Sequence, residues 1–175
     1  REFVKWSPVG SGLDLEVEAE RMRWASAFIT VPSVVDRGED EAGSWLVTVG
    51  LPGESAVAER WRADPARAVT AIGHGLRQMH DALPVKDCPF SWSLQGRLVA
   101  AGRPDLAAGA PPVDRLVVCH GDACSPNTLI TDDGLFSGHV DLGSLGVADR
   151  WADLAIATYS SVWNYGPGWE DQLLD

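Results

Sequence analysis

Cysteine is scarce in this chain, with Cys88, Cys119 and Cys124 the only three in 175 residues. An odd number at irregular spacing gives neither a disulfide framework nor a thiolate metal cluster, and it suits a reducing cytoplasm. Long apolar runs are absent, so no stretch reaches the roughly 20 residues that a membrane-crossing helix needs. The opening Arg1-Glu2-Phe3 carries no secretory signal pattern. Positive charge is also short: 14 Lys and Arg stand against 25 Asp and Glu, giving a net charge of −11 and a pI near 4.6. That balance argues against nucleic acid and anionic membrane surfaces as partners and is compatible with a polycationic small molecule, although acidity also serves plain solubility. Repeats and low-complexity segments are missing. The 45% hydrophobic content is that of a globular chain with a real core, in one domain or two small lobes.

Against these absences stands one dense segment. His120-Gly121-Asp122-Ala123-Cys124-Ser125-Pro126-Asn127 is followed by His139-Val140-Asp141-Leu142-Gly143, with Asp141 fourteen residues after Asn127. The apolar runs Leu116 to Cys119 and Asn127 to Ile130 read as strands around a polar loop that holds Asp122. Thr131-Asp132-Asp133-Gly134 supplies Asp-Gly turn chemistry, and Leu135 to Val140 returns as a second strand, which brings Asp141 back towards Asn127. A carboxylate beside a tight turn, with an Asn and a second carboxylate near it, is what phosphoryl transfer requires: one group orients a hydroxyl, and two hard oxygen donors hold Mg²⁺ against phosphates. Taken singly, these residues also suit turns. A further reading takes His120, Asp122, His139 and Asp141 as four ligands of a hydrolytic metal centre, since His-x-Asp on a strand shares one face.

A second pattern lies near the start. Asp14 to Ile29 reads as a helix whose apolar stripe runs Leu15, Met22, Ala25, Ile29, and Glu18 falls on that stripe while Glu16, Glu20 and Arg23 lie on the wetter side. An inward carboxylate needs a cation, and Lys5 in the strand-like Phe3-Val4-Lys5-Trp6 is the candidate. Phe3, two residues before Lys5, shares its strand face.

From Asp64 the chain turns helical, with Asp64 as cap, Pro65 in the first turn and Val69, Ile72, Leu76, Met79 and Leu83 as one core stripe. His74 and His80 ride on this helix without a carboxylate or cysteine at ligand spacing and read as structural. Asp149 can cap the helix through Trp151, Leu154 and Thr158, with Asp153 one turn inside it. The eight tryptophans, Trp45, Trp61, Trp92, Trp163 and Trp169 among them, are expected to be mostly packing residues.

His120-Gly121-Asp122 to Asn127, with Val140 to Gly143 and Gly146-Val147-Ala148-Asp149-Arg150-Trp151-Ala152-Asp153-Leu154-Ala155, resembles the aminoglycoside phosphotransferases, particularly the 3′-phosphotransferase branch. The likeness extends upstream through Asp87 to Phe90, Ser93-Leu94, Arg97-Leu98 and the Val31-Pro32 segment. It implies a two-lobed protein-kinase-like α+β fold, with residues 1–52 as the remnant of a nucleotide-binding lobe and 53–175 as the catalytic and substrate lobe. It implies an enzyme that moves the γ-phosphate of ATP or GTP to a hydroxyl of an aminoglycoside antibiotic, conferring resistance. In that family the motif Asp acts on the acceptor hydroxyl, and the motif Asn and later Asp bind Mg²⁺; here these are Asp122, Asn127 and Asp141. Lys5 would contact the α and β phosphates with Glu18 as its partner. Phe3 would stack on adenine, and backbone around Val49 and Leu51, at the Gly50-Leu51-Pro52-Gly53 hinge after the strand-like Ser44 to Val49, would meet the adenine edge. The Asp153 position implies a carboxylate accepting hydrogen bonds from the catalytic loop, with an exposed helix residue as the other reading.

The chain also departs from that pattern. It begins four residues before Lys5, so the nucleotide lobe is expected to be incomplete, and it stops at Leu173-Leu174-Asp175, so the C-terminal end is expected to be truncated. Ala100 to Pro112 reads as a short linker where the family has a longer acidic helical segment, leaving Asp105 and Asp114 as the charged candidates. Ser144 stands where relatives carry an Arg. The acceptor therefore stays open to kinases of other small alcohols, such as choline, homoserine or macrolides, and to a nucleotide-binding protein without transfer activity.

Overall fold

The structure is a computed structural model describing residues 1–175. The chain begins with β1 (Glu2–Pro8) and α1 (Leu15–Ala25), then β2 (Ser33–Glu39) and β3 (Gly43–Val49), which form an antiparallel sheet in the order β1-β3-β2. Asp14 caps α1 by accepting the Val17 N–H at 3.0 Å. The helix is shorter than its sequence pattern. From Ser26 the amides of Ala27 and Phe28 bond only three residues back, to Trp24 and Ala25, so the turn tightens and Ile29 leaves the helix. Leu15, Glu18, Ala19, Met22 and Ala25 form its buried face, which includes the expected stripe as far as Ala25.

A short β4 (Glu54–Ser55) and α2 (Glu59–Arg62) lead to α3 (Pro65–Ala82), capped by Asp64 as expected. All five residues of its stripe are buried. The Ala100 to Pro112 segment is less plain than a linker: α4 (Leu94–Ala100) runs into its start, and Pro104–Gly109 winds as a 3₁₀ helix. β5 (Leu116–Cys119) precedes the polar loop, β6 (Thr128–Ile130) and β7 (Phe136–His139) make the anticipated hairpin, and β8 (Gly146–Asp149) returns antiparallel to β5. α5 (Trp151–Tyr165) and α6 (Glu170–Leu174) close the chain. Asp149 accepts the Trp151 N–H at 3.0 Å at the start of α5, although Arg150 occupies the cap position.

Two hydrophobic clusters hold these elements. One joins α1 and Leu46 of β3 to Met79, Leu83, Val118, Leu142 and Leu145, so the first sheet and its helix share a core with α3, β5 and the turn after β7. The other gathers Trp61, Val69, Ile72, Leu76, Ile130 and Leu173. Trp61 is buried and Trp24, Trp92 and Trp169 pack against the hydrophobic clusters, as expected of most of the tryptophans, whereas Trp163 is 74% exposed and Trp6 and Trp151 are about half exposed. All three cysteines are free, and no helix is long and apolar enough to cross a membrane.

Candidate active site

Lys5 is the centre of an ion cluster. Its ammonium donates to both carboxylate oxygens of Glu18, at 2.9 and 2.8 Å, and to Oδ1 of Asp141 at 2.5 Å. Glu18 is buried, as a carboxylate on the apolar face of α1 can be only with a cationic partner. Partial burial works against the Lys5 charge, but the bonds to Asp141 and Glu18 outweigh it and raise its pKa above the ordinary lysine value. Asp141 is the one non-glycine residue with positive φ, at 61°. That left-handed turn, tolerated by Asp, redirects the chain from β7 into the Leu142–Ser144 turn that packs on α1.

Phe3, Lys5, Glu18, Leu51, Pro126 and Asp141 line one cleft of about 520 Å³ between the first sheet and the polar loop. Phe3 stays half exposed at its mouth, on the Lys5 face of β1. The hinge presents Gly50 and Leu51 to this cleft, whereas Val49 is paired with Glu2 and Ser33 and does not line it.

On the other side, the hairpin register sets Thr128 opposite His139, and Val140 N–H bonds the Asn127 carbonyl at 3.0 Å, so Asp141 follows directly on a residue tied to Asn127. Asn127 donates its Nδ2 to the Asp122 carbonyl at 2.9 Å and to Asp122 Oδ2 at 3.2 Å. Its Oδ1 accepts no hydrogen bond, and that atom and the half-exposed Asp141 carboxylate are hard oxygens of the chemistry that Mg²⁺ takes. Cys124 donates its thiol to Asp122 Oδ1 at 2.9 Å; burial and that carboxylate push the thiol pKa up to about 12.

The loop is held from beneath. Asp153, fully buried on α5, accepts the His120 N–H at 2.7 Å, the Gly121 N–H at 2.9 Å and His80 Nε2 at 2.8 Å. Burial opposes its charge, but these partners hold its carboxyl below the usual range. Asp153 is thus the loop's brace and not an exposed carboxylate, and His80 has a carboxylate partner after all, 73 residues away. Gly121 turns with φ of 84°, and any side chain there would strike the Ser144 carbonyl. Nor do the two His-x-Asp pairs form a metal centre. His120 Nε2 faces the Val140 carbonyl at 2.9 Å and its Nδ1 faces the Asp122 N–H, while His139 is buried against Phe136 and the His120 ring. Burial and the His120 charge drive the His139 pKa down to about 3.

The sequence matches the phosphotransferase enzyme family over residues 3–105 and 97–175. An aminoglycoside 3′-phosphotransferase of Streptomyces fradiae is 37% identical to it, across 97% of this chain and 74% of the relative. The chain belongs to the aminoglycoside phosphotransferase family. A solved aminoglycoside 3′-phosphotransferase of type VIII shares its fold with a TM-score of 0.82 at 33% identity, over 99% of this chain and 75% of the other. An aminoglycoside phosphotransferase of Streptomyces rimosus, solved in complex with ADP and streptomycin, has a TM-score of 0.74 at 29% identity, over 98% and 76%. The architecture is therefore the two-lobed, kinase-like α+β fold of aminoglycoside phosphotransferases.

Within this family member, sequence reasoning brought Lys5 to Glu18 and both Asp122 and Asp141 to the neighbourhood of Asn127. It missed the Lys5–Asp141 bond, the partnership of His80 with Asp153, and Ser160, whose hydroxyl accepts the Ser125 N–H at 2.9 Å. No local pattern signals these, because each spans more than thirty residues of sequence.

Proposed function

We propose that the chain transfers the γ-phosphoryl group of ATP or GTP to a hydroxyl of an aminoglycoside antibiotic and so confers resistance, working in the cytoplasm. The observation that carries this reading is the convergence of Lys5, Glu18 and Asp141 on one wall of a cleft that reaches the Asp122 loop. Residues 1–52 act as the nucleotide side and 53–175 as the catalytic and acceptor side. Phe3 stacks on the base and the hinge backbone at Gly50 and Leu51, not Val49, meets its edge, while Lys5, aimed by Glu18, meets the α and β phosphates. Asn127 and Asp141 would hold Mg²⁺, which when bound supplies positive charge against the phosphate oxygens. Asp122 orients the acceptor hydroxyl in line with the γ-phosphorus. Because the transition state is loose, that alignment outweighs early proton removal. A net charge of −11 favours a cationic acceptor.

The test is incubation with labelled ATP or GTP and a panel of aminoglycosides beside an Asp122→Ala control. Label is expected to pass to an aminoglycoside with the wild-type chain only, while the variant still binds nucleotide. Nucleotide binding without transfer to any member of the panel would overturn the reading, as would full turnover by the variant.

A further inference from the structure

The two carboxylate oxygens of Asp122 are each gripped from a different direction. Oδ1 accepts the Cys124 thiol at 2.9 Å and Oδ2 the Asn127 amide at 3.2 Å. A carboxylate anchored at one oxygen still rotates about its Cβ–Cγ bond, whereas donors on both oxygens stop that rotation. A single tight turn delivers both donors: Ser125–Asn127 winds as 3₁₀ helix with Pro126 inside it, and the Asn127 N–H closes the turn on the Cys124 carbonyl at 3.0 Å. Each Asp122 oxygen keeps a further lone-pair site for an incoming hydroxyl.

We propose that Cys124 is a positioning residue, whose S–H and the Asn127 amide together clamp the Asp122 carboxylate in the orientation that receives the acceptor hydroxyl. This rests on the reading of Asp122 given above. A thiol with an ordinary pKa is protonated at neutral pH, as a donor must be. Donation to Asp122 slightly weakens it as a base, but in a loose transition state alignment counts for more than basicity. Of the two donors, Cys124 is the one that can be changed without touching a group assigned to the cation.

Steady-state kinetics of the full chain test the clamp. Cys124→Ala is expected to lower kcat roughly tenfold, the scale of one lost hydrogen bond to a charged group, with the nucleotide KM within about twofold of wild type. Cys124→Ser, whose hydroxyl restores a donor, is expected to recover most of that loss. Should the alanine variant fail to fold, Cys124→Val replaces it, filling the space of the thiol without its donor. Wild-type turnover in the donorless variant overturns the clamp, and so does a serine variant as slow as the donorless one. A wild-type chain that transfers no phosphate overturns the reading of Asp122 first and the clamp with it, so the two failures are distinct.

Discussion

A carboxylate buried on an apolar helix face costs several kcal/mol unless a cation meets it. Glu18 meets that demand with Lys5, and the need was legible in the sequence because helical periodicity alone turns Glu18 inward. The bond from Lys5 to Asp141, across 136 residues of sequence, was not legible, since nothing local sets the left-handed turn at Asp141 against β1. The two contacts separate in mutants. Lys5→Ala is expected to raise the nucleotide KM about tenfold or more, whereas Glu18→Ala raises it less, because Asp141 still tethers the ammonium. Initial rates at varied nucleotide check both, and equal effects would mean that Asp141 contributes nothing to holding Lys5. At this scale too, Asp122→Ala is expected to cost on the order of 10²-fold or more in kcat while nucleotide affinity holds.

At the scale of elements, the loop that bears Asp122 depends on two helices that flank it. α3 contributes His80 and α5 contributes Asp153, and the Asp153 carboxylate gathers the first two amides of the loop with the His80 ring. Asp153→Asn turns an amide NH₂ towards N–H groups that need an acceptor. The loss expected is about 3 kcal/mol of stability, the scale of breaking a buried charged pair, together with a fall in kcat. Denaturant unfolding and turnover measured on one preparation check this; a stable, fully active variant would remove Asp153 from its role as brace. The elements that sequence located, α1, α3, α5, β1, β3, β5 and the β6–β7 hairpin, carry apolar patterning, caps or turn residues. β2, β8 and the Pro104–Gly109 turn escaped notice because strands interrupted by Gly and Asp, and 3₁₀ turns, take their conformation from neighbours and not from pattern. His80 read as merely structural for the same reason, its partner lying on another helix.

For the whole molecule, two conditions follow from charge. His139, at the end of β7, is buried against Phe136 and the His120 ring, with its folded pKa at about 3 against about 6.5 in an unfolded chain. The unfolded state thus binds more protons between those values, so this contribution to stability is complete above about pH 6.5 and is lost as pH falls towards 3. Thermal or denaturant unfolding across that window is expected to show the decline, and His139→Gln to flatten it; an unchanged slope would mean that His139 titrates normally. A net charge of −11 should also draw a polycationic acceptor more strongly at low salt, so the aminoglycoside KM is expected to rise several-fold from about 50 to about 500 mM salt. A salt-independent KM would set general charge attraction aside.

By itself the sequence determined the reaction type, the family, the Lys5–Glu18 pair and the strand-loop-hairpin order that bears Asp122, Asn127 and Asp141. The family rests on the resemblance of the His120 to Asn127 and Val140 to Ala155 motifs; the others rest on local spacing, on turn chemistry or on one helix face. Only the tertiary structure decided that Lys5 touches Asp141, that Asp153 and His80 share the burden of the loop, and that Cys124 sits on the Asp122 carboxylate. Hydrogen bonds between distant segments depend on how layers pack, and packing leaves no periodic trace in the residues it joins.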